Sequence, residues 1–146
     1  MTGVRRGHCL LVLIILASAG TVTLAGGAAP ATVWDGVYSV EQAQRGEAIY
    51  SAECELCHAA NMRGGPAARG LIGLGFQILW KDKSVAELYE TTRGKMPPGN
   101  PGSLYEQDYL DVLAAVLQRN GFPAGSAELT PDTGLLQSIR LTWEQP

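Results

Sequence analysis

Histidine, cysteine and charge are all in short supply. The 146 residues hold two histidines, three cysteines and 17% charged side chains, with a net charge of −3. No long basic run is present, so a nucleic-acid surface is not indicated. The length leaves no room for a second domain of ordinary size. No βαβ pattern flanks the cysteines, which argues against a thioredoxin-like redox pair. The hydrophobic share of 46% is that of a globular chain. Gly (18) and Pro (8) exceed average usage without reaching low complexity.

Residues 1–29 read as a secretory signal. Arg5 and Arg6 precede the apolar run Leu10–Ala17, and small residues follow from Ser18 to Ala29. Cleavage is expected between about residues 25 and 29, leaving 30–146 as the domain of an exported, periplasmic bacterial protein. The alternative is a retained membrane anchor. The uncharged stretch Cys9–Ala29 is diluted by Gly20, Thr21, Thr23, Gly26 and Gly27, and a span needs about 20 predominantly apolar residues.

Removing that segment takes away His8 and Cys9. The histidine and cysteines left are Cys54, Cys57 and His58, all within five residues. A zinc site would need further ligands. Cys54-Glu55-Leu56-Cys57-His58 is a C-x-x-C-H, the attachment motif of c-type haem. From the chain's own composition its chance occurrence is about 0.0008, which makes the signal strong. Thiols three residues apart share one helix face, so both can reach the vinyl-bearing edge of one porphyrin. The adjacent imidazole then serves as an iron ligand.

No second histidine remains, so bis-histidine ligation within one chain is excluded. The candidates for the other axial position are Met62 and Met96. Met62 lies four residues after His58, on the same side of the ring. Met96 lies in Arg93-Gly94-Lys95-Met96-Pro97-Pro98, where prolines stiffen the loop, and is the expected ligand. An open or water-bound sixth position is the alternative.

Helix-start signatures of the form Ser-x-x-Glu/Gln begin at Ser39, Ser84 and Ser103. They predict a helix from about Val40 into the haem motif, a short one to about Arg93 capped by Gly94, and a long one to about Asn120. Tyr109, Leu110, Leu113, Val116 and Leu117 form an apolar stripe on the last. Thr130-Pro131 suggests a fourth start, for a short helix carrying Leu135, Leu136 and Ile139. Gly46 costs helix stability, which a close helix crossing would explain. Residues 59–83 read as glycine-rich loop. Leu71, Ile72, Leu74, Phe76, Ile78, Leu79 and Trp80 would wall a flat ring.

With Cys54–His58 ending a first helix, Met96-Pro97 after a loop and a long final helix, the chain resembles class I cytochromes c over roughly residues 40–121. The resemblance implies an all-α fold of three main helices around one covalent haem c, with a short C-terminal extension, and a role in single-electron transfer. It pairs Gly46 and Tyr50 with the last helix near Tyr109, Leu113 and Val116. It casts Pro66 as the residue whose carbonyl accepts the His58 proton. Many relatives carry an aromatic near Ala115 or Val116; this chain does not.

Val33–Tyr38, Gln42–Glu47, Pro101–Leu104 and Asn120–Gly125 resemble exported cytochromes that accompany quinoprotein (PQQ-type) dehydrogenases. That implies such a dehydrogenase as electron donor, and a terminal oxidase or another cytochrome as acceptor. No acid, base and nucleophile set is visible, so an electron carrier is expected rather than an enzyme. The alternatives are a cytochrome subunit of a membrane-bound dehydrogenase or oxidase, and an open-site haem enzyme or sensor. Residues 59–100 hold six basic residues against Asp82, Glu87 and Glu90, a net +3, while 30–58 and 101–146 are each −4. A basic rim around the haem edge is therefore expected.

Overall fold

The computed structural model describes residues 32–146. The expected signal peptide and anchor lie outside them. Six helices, and no strand, form among the described residues. They are α1 (Val40–Glu53), α2 (Glu55–His58), α3 (Leu74–Trp80), α4 (Val85–Lys95), α5 (Glu106–Arg119) and α6 (Thr133–Ser138). A 3-10 turn, Val33–Asp35, precedes them. The fold is all-α, as expected.

Two of the three serine signatures act as read. The Ser39 side chain accepts from the Gln42 amide, and Ser84 with Glu87 completes a reciprocal capping box. The third fails. Tyr105 is the N-cap of α5 and Glu106 its first residue, with no side-chain cap. Gly94 does not cap α4, which continues through it and ends at Met96 in extended conformation. The proline at position 97 explains the stop, since it disfavours helical backbone in the residue before it. The fourth start sits two residues later than Thr130, at Asp132, whose carboxylate accepts from the Leu135 amide.

The stretch read as loop contains α3. Its sequence, LGFQILW, has no amphipathic period to announce it. Tertiary packing holds it: Phe76 and Trp80 are buried, and Phe76 meets Trp143 edge-on at 6.1 Å. Of the apolar wall expected there, Leu71 and Ile72 are partly buried, while Leu74, Ile78 and Leu79 face solvent.

The core is built where α1 crosses α5. A Cβ placed on Gly46 would stand 1.8 Å from the Asp111 carbonyl oxygen, so only glycine allows the backbones this close. The crossing expected of Gly46 is there. A buried polar cluster locks it. Asp111 accepts from Arg45 (2.8 Å), Gln42 (3.0 Å) and Gln107 (2.9 Å). Gln42 also exchanges hydrogen bonds with the Leu129 backbone, tying the C-terminal segment to the crossing. Burial works to raise the Asp111 carboxyl, but its hydrogen bonds from Arg45, Gln107 and Gln42 outweigh it and hold the group below the usual carboxylate range.

The C-terminal extension is part of the core. Leu129, Leu136, Ile139 and Leu141 are all at most 1% exposed. The Val33 amide donates to the Arg140 carbonyl, and Leu141 exchanges hydrogen bonds with Asp82 and Lys83. Trp34 packs on Phe122 (5.0 Å), and the Trp34 indole donates to Thr142.

Candidate haem site

The Cys-x-x-Cys-His run sits at a break between two helices. Cys54 leaves α1 with φ −122° and ψ −32°, and the short α2 carries the other two residues. One turn of helix separates the thiols: the amides of Cys57 and His58 both donate to the Cys54 carbonyl. Both thiols are free and half-buried. Burial pushes the Cys54 thiol up to about 11, and the Glu53 carboxylate and Cys57 thiol add to the rise. The Tyr50 hydroxyl donates to the Ala59 carbonyl at 2.6 Å, pinning the residue just after the motif to α1.

His58 is buried, and its Nδ1 lies 2.8 Å from the Arg69 carbonyl. A carbonyl only accepts, so Nδ1 carries the proton and Nε2 keeps its lone pair for a metal. The acceptor is thus Arg69, and not Pro66, which is exposed. The reason is a tight return of the loop. The Gly64 amide donates to the His58 carbonyl, and the Leu71 amide to the Met62 carbonyl. Gly64, with φ +76°, lies so close to Gly70 that an added Cβ would be 2.4 Å from its nitrogen. Proline three residues earlier sits at the outside of this bend.

The two methionines differ sharply. Met62 is wholly buried in the core. Met96 is half-buried at the end of α4, and its backbone is held from both sides. Its amide donates to Thr92, and its carbonyl accepts from the Tyr109 hydroxyl at 2.8 Å. Tyr109 was legible only as part of an apolar stripe; its hydroxyl was the signal that it had a second task. Asn120, read only as a helix end, bonds the Leu71 carbonyl at 2.9 Å and ties the loop to α5.

A cavity of about 320 Å³ is lined by Arg63, Arg69, Gly70, Ile72, Gly75 and Phe76. Apolar walls, glycines and two cations suit a flat apolar ring with acidic substituents. The basic rim is thinner than its sequence suggests. Lys81 pairs with Glu144 and Arg93 with Glu106, whereas Arg63, Arg69, Lys83 and Lys95 form no ion pair among the described residues.

Two free thiols and a histidine with a committed Nδ1, on helices that cross at a glycine, define a class I c-type cytochrome. Residues 41–115, 75 of the 146, match the family model described as cytochrome c oxidase, cbb3-type, subunit III. The chain belongs to that family, its cofactor is a covalently bound haem c, and its role is haem-based electron transfer. Comparison with curated proteins and with solved structures gives no significant match.

Proposed function

We propose that this chain is an exported, periplasmic electron carrier with His58 and Met96 as axial ligands. The observation that carries the reading is the hydrogen bond from His58 Nδ1 to the Arg69 carbonyl, which leaves Nε2 as a ready ligand. Cys54 and Cys57 each contribute a sulfur and a hydrogen to one vinyl group, forming two thioethers. Bound haem supplies reversible one-electron chemistry at iron. The chain's own part is to seat it. His58 is fixed in tautomer and direction, Met96 is presented from a backbone held by Tyr109, and Ile72 and Phe76 exclude water. A His/Met pair raises the reduction potential.

The narrower reading is a carrier that takes electrons from a PQQ-type dehydrogenase and passes them to a terminal oxidase or another cytochrome. It is supported by the meeting of two of the segments that resemble such proteins. The Tyr38 hydroxyl donates to the Phe122 carbonyl (2.5 Å), and the Gly125 amide to the Tyr38 carbonyl (2.7 Å). The family match favours a second reading, a haem subunit of a membrane oxidase. Fractionation of native membranes separates the two, since a subunit stays with the complex.

Met96→Ala tests the ligation. It is expected to keep covalent haem, lose the weak long-wavelength band of methionine-ligated ferric haem, lower the potential and let CO bind the reduced form. An unchanged spectrum would refute Met96 and turn attention to Met62.

A further inference from the structure

A helix that is apolar all round belongs in a protein interior. Helix α3 has one polar side chain in seven residues, Gln77, yet only part of it is covered. Three faces can be told apart. Phe76 and Trp80 enter the core, and Gly75 and Phe76 border the cavity. Leu74 and Ile78, four residues apart and so on one side of the helix, are 70% and 73% exposed. Lys81, the C-cap, falls on the same side, seven residues after Leu74. Singly exposed leucines need no explanation, but an adjacent pair on a helix without a polar face does.

We propose that the Leu74–Ile78 face of α3 is the docking surface for an acidic redox protein, a proposal that rests on the electron-carrier reading. Charge points to the occupant. Arg63 and Arg69 line the neighbouring cavity, and Lys81 and Lys83 follow α3. Arg140 donates to the Asp82 carbonyl at the same corner. Against these five cations stand Asp82 and Glu144, the latter in an exposed pair with Lys81, which contributes little and exchanges readily. The described residues as a whole hold nine basic and fourteen acidic side chains, so the remainder of the surface is strongly negative. An acidic partner is therefore turned away elsewhere and admitted here.

Size and place agree with this use. Two aliphatic side chains and their surroundings make a small apolar patch, the scale of a transient electron-transfer encounter rather than a lasting complex. A partner seated on them is separated from the cavity by no more than one helix diameter, about 10 Å.

The test is stopped-flow oxidation of the reduced full-length protein by two probes: a blue-copper protein with an acidic docking face, and hexacyanoferrate(III). Leu74→Ser/Ile78→Ser is expected to lower the rate constant with the acidic protein about tenfold, with the hexacyanoferrate rate, visible spectrum and melting temperature unchanged. Lys81→Glu/Lys83→Glu should slow the acidic protein at low salt, and the wild-type rate should fall as salt rises. An unchanged rate in the double serine variant overturns the proposal. So does equal slowing with both probes, which would give these residues to the haem seat, or a wild-type dimer that the serine variant dissolves, which would give the face to a second copy. A wild-type protein that hexacyanoferrate(III) fails to oxidise would instead sink the electron-carrier reading, and the docking site with it.

Discussion

Alanine at Gly46 and alanine at Gly94 should move stability in opposite directions. Both glycines lie inside helices, α1 and α4, and both have ordinary helical backbone. Helix propensity alone favours alanine at each by about 1 kcal/mol. Around Gly94 nothing lies within 4 Å of the added carbon, so that gain should appear nearly whole. At Gly46 the added carbon stands 1.8 Å from Asp111 O, 2.3 Å from Asp111 C and 2.9 Å from Val112 N. All three are backbone atoms, so no rotamer change relieves them. Ordinary contact begins near 3.4 Å, and α1 and α5 must part by roughly 1.6 Å. That separation also stretches the Arg45–Asp111 and Gln42–Asp111 hydrogen bonds. Overpacking of this kind costs about 1–3 kcal/mol, and the loosened polar cluster about 1 kcal/mol more. After the propensity gain the net loss for Gly46→Ala should be about 1–3 kcal/mol, lowering the melting temperature by roughly 5–15 °C. Gly94→Ala should raise it by a few degrees. Thermal melts of both holoproteins, followed by far-UV circular dichroism, decide the matter. If Gly46→Ala melts at or above wild type, the close crossing does not hold α1 and α5 as described.

Three further outcomes follow from the same geometry. Gly64→Ala should weaken the loop by about 2 kcal/mol through its positive φ and its contact with Gly70, and disturb the haem spectrum by loosening His58; Arg69→Ala should leave that spectrum unchanged, because the acceptor is a backbone carbonyl. Asp111→Asn should cost about 1–3 kcal/mol at neutral pH. The folded Asp111 carboxyl titrates below the unfolded one, so its contribution is full above about pH 4 and is lost as pH falls further; denaturant melts of the variant should therefore depend less on pH in that acid range. Leu141→Ala should cost about 2–4 kcal/mol, read from the urea midpoint, because a fully buried side chain leaves a cavity.

What could be read in advance was local chemistry. Ser39 and Ser84 cap their helices because each signature already contains both partners of the hydrogen bonds it makes. Ser103 has the same letters, but the extended Tyr105 at the N-cap and the Tyr109 hydroxyl, which takes the Leu104 amide, set the start of α5 two residues later. Helix α3 was invisible because its warrant lies in Trp143, 67 positions beyond Phe76. The Cys54–His58 run needed only adjacency. The partner of His58 needed the bend at Gly64, and so fell to Arg69 instead of Pro66.

The crossing at Gly46 also sets an order of events. Gln42 meets Asp111 69 residues downstream, and Val33 waits for Arg140 near the far end of the chain. A chain that emerges amino end first shows Cys54, Cys57 and His58 long before α5 can close against α1. Contacts this distant in sequence form late and slowly. The thiols are thus open to haem-attaching chemistry while the chain is still unfolded. The finished crossing then closes on a cofactor already in place, and a chain that missed its haem reaches the same closure without the ring its loop was shaped to hold.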